Sequence, residues 1–280
     1  MTIHRHYSDN LQQDQLLQQI RERYPDGADA YQLAPVDQLH IGGIKASQKL
    51  LQRLEQLKPK RILEIGSGLG GLMRLIRTSF DCDIIGIDIT HDFNTLNRSL
   101  SGLSEKQSGT TTLTCDAQHL PFADDSFDCI IFQHSLLNIP DTEKCLQECS
   151  RVLGQNGSLL LHEVLQGSNH QAMLYPVPWA RNADHSHLIT AEQLQALLQH
   201  NGFAIDSTSN WTEEALQWRQ RQAAKESNSQ PVTTLSPAHI LGSDFKKMAP
   251  NVMANLSSEA VQVWEVVAKL ENVAARLASG

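Results

Sequence analysis

The chain has 280 residues, 40% of them hydrophobic and 19% charged, with 23 basic against 31 acidic side chains and a formal net charge of −8. That length accommodates one domain with a large insertion or two modest domains, and that apolar content fills a core. The acidic balance argues against broad contact with a phosphate backbone, no stretch is apolar enough to span a bilayer, and the opening MTIHRHYSDN lacks the pattern of an export signal, so the expectation is a cytoplasmic protein binding neither nucleic acid nor membrane.

The first forty residues are polar and glutamine-rich, and they predict a short helix around Leu11 to Glu22, ahead of Pro25 and Gly27. Apolar residues at 50, 51, 54 and 57 place a helical stripe over Ser47 to Leu57, which Pro59 stops. RILEIG then reads as a short buried strand, LMRLIRTSF as a helix, DIIGID as a second strand and TLTCDA as a third. FDCIIFQ supplies a fourth strand, TEKCLQECSRVL the following helix and GSLLLHEVL a fifth strand. This alternation predicts an α/β fold, a doubly wound and mostly parallel sheet with helices on both faces. Ligand chemistry then belongs at the carboxyl ends of the strands.

YPVPWARNADHSHLIT, residues 175 to 190, forms a long aromatic connection into a helix that the Thr190 hydroxyl caps, with Gln193 reaching back. GFAID is a sixth strand, and beyond Trp211 two or three helices are expected, interrupted by SNSQPVTTLSP. No obvious seventh strand follows Leu277. The expected organisation is a helical lid over 1–46, a core over 47–210 and a helical cap over 211–280.

LEIGSGLGG, residues 63 to 71, carries the chemistry. Gly66, Gly68 and Gly70 would let a backbone approach a ligand, and the helix that follows offers free amides, although such a turn alone is weak evidence. Three acids at successive strand ends add weight: Glu64 in the first strand, Asp88 where it can accept from two ribose hydroxyls, and Asp116 after the third strand, where an adenine would be read. A nucleoside ligand accounts for all three.

Other chemistries lack their signatures. There is no G-x-S-x-G elbow and no glycine loop ending in GK[ST]. His119, His134, His162, His185 and His187 are scattered, and the cysteines at 82, 115, 129, 145 and 149 lack metal spacing, so no metal site is expected. Cys145 and Cys149 fall on one helix face as reduced thiols. RQR at 219 to 221 and KK at 246 to 247 read as solvated helix faces.

LEIGSGLGG with GIDIT, CDAQHLPFADDSFD and SRVLGQNGSLLLHE resembles the class I methyltransferases that use S-adenosylmethionine, over roughly residues 30 to 205. The resemblance implies that Glu64, Gly66, Ser67, Gly68 and Gly70 pass the methionine part of that cofactor. Asp88 with Ile89 would take the ribose, and Asp116 with Ala117 the adenine. Upstream, LAPVDQLHIGGIKAS is similar to the segment that closes over the cofactor in the sarcosine and dimethylglycine N-methyltransferase branch, which makes Gln38, His40, Gly42 and Gly43 candidate contacts. After the fourth strand that branch tends to show SQDAxxH where this chain has FQHSLLN: Gln133 is kept, His134 replaces the acid and Asn138 the histidine. LGSDFKKMAPNVMANLSSEAVQVWEVV is similar to the branch's late helical segment.

The implied activity is methyl transfer from S-adenosylmethionine, leaving S-adenosylhomocysteine, to a small-molecule acceptor, an amine nitrogen first. O- or C-methylation with His134 or His40 as base is the alternative, and a non-catalytic cofactor-binding protein is the alternative of another class. Tyr175, Trp179 and Trp211 are candidate substrate walls, and Arg181, His185 and His187 are further candidates in the same connection as the first two. The chain is expected to act as a monomer or homodimer.

Overall fold

A computed structural model describes residues 13–103, 110–228 and 235–271. The chain begins with helices α1 (Gln13–Arg23), α2 (Ala30–Asp37) and α3 (Ile44–Leu57), followed by β1 (Arg61–Ile65), α4 (Gly71–Ser79), β2 (Asp83–Asp88), α5 (His91–Ser101) and β3 (Thr111–Thr114). It continues with β4 (Phe127–Gln133), α6 (Thr142–Val152), β5 (Leu153–Gln166), α7 (Ala191–His200) and β6 (Phe203–Asn210). Helices α8 (Thr212–Asn228), α9 (Ala238–Leu241) and α10 (Phe245–Ser257) precede a last strand, β7 (Val261–Leu270). Leu11, the expected start of α1, and Leu277 lie outside the described residues, as does most of SNSQPVTTLSP.

The local chemistry explains most boundaries. Asp29 and Gln32 close a capping box over α2, and Thr190 with Gln193 closes the expected one over α7. The stripe on α3 buries Leu50 and Leu54, and the helix ends at Lys58 in a left-handed conformation before Pro59. Asp141 caps α6, which turns Cys145, Leu146 and Cys149 inward, so these two thiols do share one buried face.

The strands form one seven-stranded sheet in the order β3-β2-β1-β4-β5-β7-β6. Pairing is parallel from β3 through β5, and β7 runs antiparallel to both β5 and β6. Successive residues of β4 enter opposite layers: Ile130 and Phe132 pack toward α6 and α7, while Cys129 and Ile131 pack with Leu50, Leu54 and Leu72. A sheet covered on both faces needs such near-continuous apolar strands, and fully burying one such side chain contributes about 1.5–3 kcal/mol. The doubly wound, mostly parallel sheet is therefore as expected.

Two expectations change. The C-terminal region is not helical throughout: Val261–Leu270 is a strand wedged between β5 and β6. The alternation in VQVW, with Val261 and Val263 buried and Gln262 and Trp264 less so, is a strand signal that likeness to a helical segment obscured. Arg219 is not a solvated residue either. It is buried and forks onto Glu226, while Arg221, Lys246 and Lys247 are exposed.

The chain leaves β1 toward β2 and β3, then crosses back to place β4 on the other side of β1. That reversal opens a crevice at the carboxyl ends of β1 and β4.

Candidate functional site

The loop after β1 is tied to its neighbours through the backbone. The amides of Gly66 and Ser67 donate to the carbonyl of Ile87 at 2.8 and 2.9 Å. Gly66 sits at φ +73°, and a Cβ there would lie 2.3 Å from the Cβ of Ser135, so the loop presses against the end of β4 only because it carries no side chain. Gly68, at φ +51°, has nothing within 4 Å of where a Cβ would stand. It faces open space.

That space is a cavity of about 470 Å³ over the carboxyl ends of β1, β2 and β4. On one side Asp88 is held in place by the amides of Gly68 (3.0 Å, on Oδ2) and Thr90 (2.8 Å, on Oδ1). Asp116 receives the Gln118 amide at 2.9 Å and the Gln118 side chain at 3.0 Å. Burial raises the Asp88 carboxyl, whereas for the more exposed Asp116 desolvation is outweighed by the Gln118 hydrogen bonds together with the charges of His119 and Lys144, and the carboxyl is lowered. Between them, burial pushes Glu64 up to about 8, with the charges of Asp88 and Asp37 adding to the rise and Arg74 opposing it. Glu64 Oε2 and Ser67 Oγ are buried without a hydrogen-bond partner.

The opposite side is built from the end of β4 and the connection after β5, and includes Leu137, Pro178, Trp179 and Arg181. His134 stands at φ +55°, a left-handed position for a residue with a side chain, and turns the chain out of β4. Its neighbour Ser135 donates to the carbonyl of Ile65, and the amides of Ser135 and Leu136 both donate to Glu163 Oε1, at 2.8 and 3.0 Å. Burial raises the Glu163 carboxyl to about 7 against those amides.

Of the candidates from sequence, His40, Glu64, Gly66, Ser67, Gly68, Asp88, Ile89, Asp116, Ala117, Gln133, His134 and Trp179 line the cavity, as do Arg181, His185 and His187. Six do not reach it. Gln38 lies behind the wall, its Oε1 accepting from Ser47 Oγ at 2.6 Å, and Ser47 in turn meets Gln133 at 3.2 Å. Gly70 begins α4 against Asn97. Tyr175 packs with Ile41, Val177 and Trp179 in an apolar cluster beneath the connection. Trp211 is buried against the turn at Ile41 to Gly43: a Cβ on Gly42 would lie 2.5 Å from its ring. Gly42 and Gly43 thus let two tryptophans of α8, or just ahead of it, approach; neither glycine lines the cavity.

Sequence reasoning missed Arg74, which read as one polar position on a helix. Fully buried, it pairs with Asp37 at 2.7 Å, donates to the carbonyl of Leu69, and reaches Asn97 and Ser101 at 3.1 and 3.0 Å, so it joins α2, the glycine loop and α5. Nor are the histidines all scattered: His40, His134 and His162 come together, with ring centroids 5.1 to 6.2 Å apart. Among the described residues no group of His, Cys, Asp or Glu is arranged to hold a metal ion, and no helix is long and apolar enough to cross a membrane.

Residues 42–208 match the family model described as a methyltransferase domain. The chain is 33% identical over 173 residues to an uncharacterized protein of Haemophilus influenzae, covering 59% of this chain and 66% of that protein. It is 29% identical over 189 residues to phosphoethanolamine N-methyltransferase 2 of Caenorhabditis elegans, covering 66% and 42%. The matched region thus spans less than two thirds of either relative. Geranyl diphosphate C-methyltransferase from Streptomyces coelicolor, solved with Mg2+, geranyl-S-thiolodiphosphate and S-adenosyl-L-homocysteine, shares the fold at a TM-score of 0.64 and 14% identity, over 90% of this chain and 97% of that one.

Proposed function

The chain belongs to the methyltransferase domain family, and from that premise we propose that it transfers a methyl group from S-adenosylmethionine to a small-molecule acceptor, an amine nitrogen first. The observation that carries this reading is the cavity at the switch between β1 and β4, with fixed carboxylates on one side and Leu137, Pro178 and Trp179 on the other. A chain with a net charge of −8 and a cavity of this size suits a metabolite better than a nucleic-acid strand.

The residues present fit the cofactor. A polar ligand would give Glu64 Oε2 and Ser67 Oγ the partners that buried polar groups require, and the open space beside Gly68 leaves room for one. Glu64, Gly66, Ser67 and Gly68 would hold its methionine part, Asp88 with Ile89 the ribose, and Asp116 with Ala117 the adenine. When bound, S-adenosylmethionine supplies a methyl group already activated by a positively charged sulfur. The protein then has to orient the acceptor and exclude water. Leu137, Pro178 and Trp179 line the side where an acceptor would sit and present little that competes for a lone pair.

An amine delivered neutral needs no strong base during transfer, so this reading asks little of the imidazoles. The relationship to a phosphoethanolamine N-methyltransferase supports nitrogen as the acceptor atom. O- or C-methylation is the second reading, favoured by His134 standing at the cavity where the N-methyltransferase branch has an acid.

Incubation with methyl-labelled cofactor and separate pools of metabolites, RNA and protein tests the class of acceptor. Label is expected in the metabolite pool, and NMR of the product would locate the new methyl group. Label confined to macromolecules would reject the small-acceptor reading, and binding without transfer to any pool would favour a non-catalytic role.

A further inference from the structure

Residues 37 to 40 form part of the cavity wall, with Asp37, Leu39 and His40 reaching it, and the backbone just after them is held by histidines. The Ile41 amide donates to His134 Nδ1 at 3.4 Å, and the Ile41 carbonyl lies 3.3 Å from His162 Nε2. One residue is thus gripped on both polar backbone groups by two imidazoles, one just past the end of β4 and one in β5. The two rings stack at 5.1 Å with an interplanar angle of 19°, and the His134 amide donates to the His162 carbonyl at 2.8 Å.

These contacts fix the protons. An imidazole nitrogen that accepts from an amide carries no proton, so neutral His134 is protonated on Nε2. That Nε2 is shielded and has no acceptor. His162 Nε2 meets a carbonyl and must donate. A general base needs a free lone pair within reach of the proton it takes, and His134 offers the cavity none.

We propose that His134 and His162 are positioning residues, which together hold the Ile41 backbone and so fix the 37–40 wall of the cavity, and that His134 is not the base of the reaction. The left-handed backbone at His134 is the local strain that turns its ring over His162. Burial, and the neighbouring imidazoles of His162 and His40, hold His134 well below the usual histidine range, in keeping with a neutral acceptor. His162, brought to about 4 mainly by burial, also faces Lys49, which lowers it, and Glu265, which raises it. His40 completes the cluster by bonding the Gly43 carbonyl at 3.0 Å.

The proposal rests on the methyl-transfer reading only where turnover is measured. Nitrogen-15 NMR of histidine-labelled protein should show His134 as the Nε2-protonated tautomer from about pH 5 to about pH 8. Amide exchange at Ile41 should quicken about tenfold in His134→Leu, whereas His134→Asn, whose side-chain oxygen can stand in for Nδ1, should recover most of the protection and most of the turnover that His134→Leu loses. For His162 the corresponding pair is His162→Leu and His162→Gln. An Nδ1-protonated His134, or Ile41 exchange unchanged in both leucine variants, would overturn the clamp. Turnover lost about 100-fold in His134→Asn with Ile41 still protected would make His134 the base instead. If no transfer is found with any acceptor, the tautomer and the exchange rates still decide for or against the clamp while methyl transfer itself fails.

Discussion

Glu64 is the residue whose state a ligand should change most. Burial holds its carboxyl at about 8 in the free protein, so near pH 7 it carries a proton. A cationic ligand beside it favours the charged form. Calorimetry in buffers of different ionisation enthalpy should therefore record release of close to one proton per S-adenosylmethionine bound at about pH 7, falling toward zero above about pH 9, and none in Glu64→Gln. The same shift has a sign for stability. A raised folded value means that this group's contribution is present below the ordinary glutamate range and is lost as pH rises through about 8, so Glu64→Gln should resist alkaline unfolding better than the parent chain. Two glycines separate packing from binding. Gly66→Ala drives a methyl into Ser135 and should cost about 1–3 kcal/mol in denaturant unfolding. Gly68→Ala meets no atom, so its fold cost should stay near about 1 kcal/mol, from the positive φ, while ligand affinity falls. At this scale the sequence spoke clearly where residue type and strand end coincide, as at Asp88 and Asp116. It was silent where a side chain acts from behind the wall. Nothing in the spacing of Gln38 or Trp211 tells a wall from its backing, because that depends on how α3 and α8 are seated.

Among the elements, α2 and α4 are joined by a charge pair that no periodicity announces. Arg74 and Asp37 are both fully buried, and removing one partner leaves the other uncompensated in a low-dielectric setting. Arg74→Met should lower the unfolding free energy by about 3–5 kcal/mol, and adding Asp37→Asn should cost much less than the sum of the two single changes; strict additivity in urea titrations would mean that the pair is not coupled. The strands β1 to β6 were legible because apolar runs bounded by turn residues are local signals. Helix α5 was not singled out, since HDFNTLNRSLS is mostly polar and buries Phe93, Leu96 and Leu100 beside Asn94, which bonds the strand ends, and Asn97, which accepts from Arg74 of α4. Strand β7 was lost for the opposite reason: a likeness to a helical segment overrode the β-branched alternation of Val261 and Val263.

For the molecule as a whole, the order of the strands matters more than any one motif. It sets Glu64, Asp88 and Asp116 around one crevice, and the connection after β5 closes the far side with Trp179 and Arg181. The sequence could place the first three on strand ends because a doubly wound sheet dictates where strand ends meet. It could name Arg181, His185 and His187 only as candidates, since a long connection has no repeat from which to infer its path to the cavity. The direct test is calorimetric titration of the folded chain and its Asp88→Ala variant with S-adenosylmethionine and S-adenosylhomocysteine. Both ligands should bind the parent chain, and the variant should bind them more weakly by about 1–3 kcal/mol while keeping its fold. Binding of neither ligand by the folded parent chain would contradict the methyltransferase reading, and equal affinity in the two chains would remove Asp88 from the ribose.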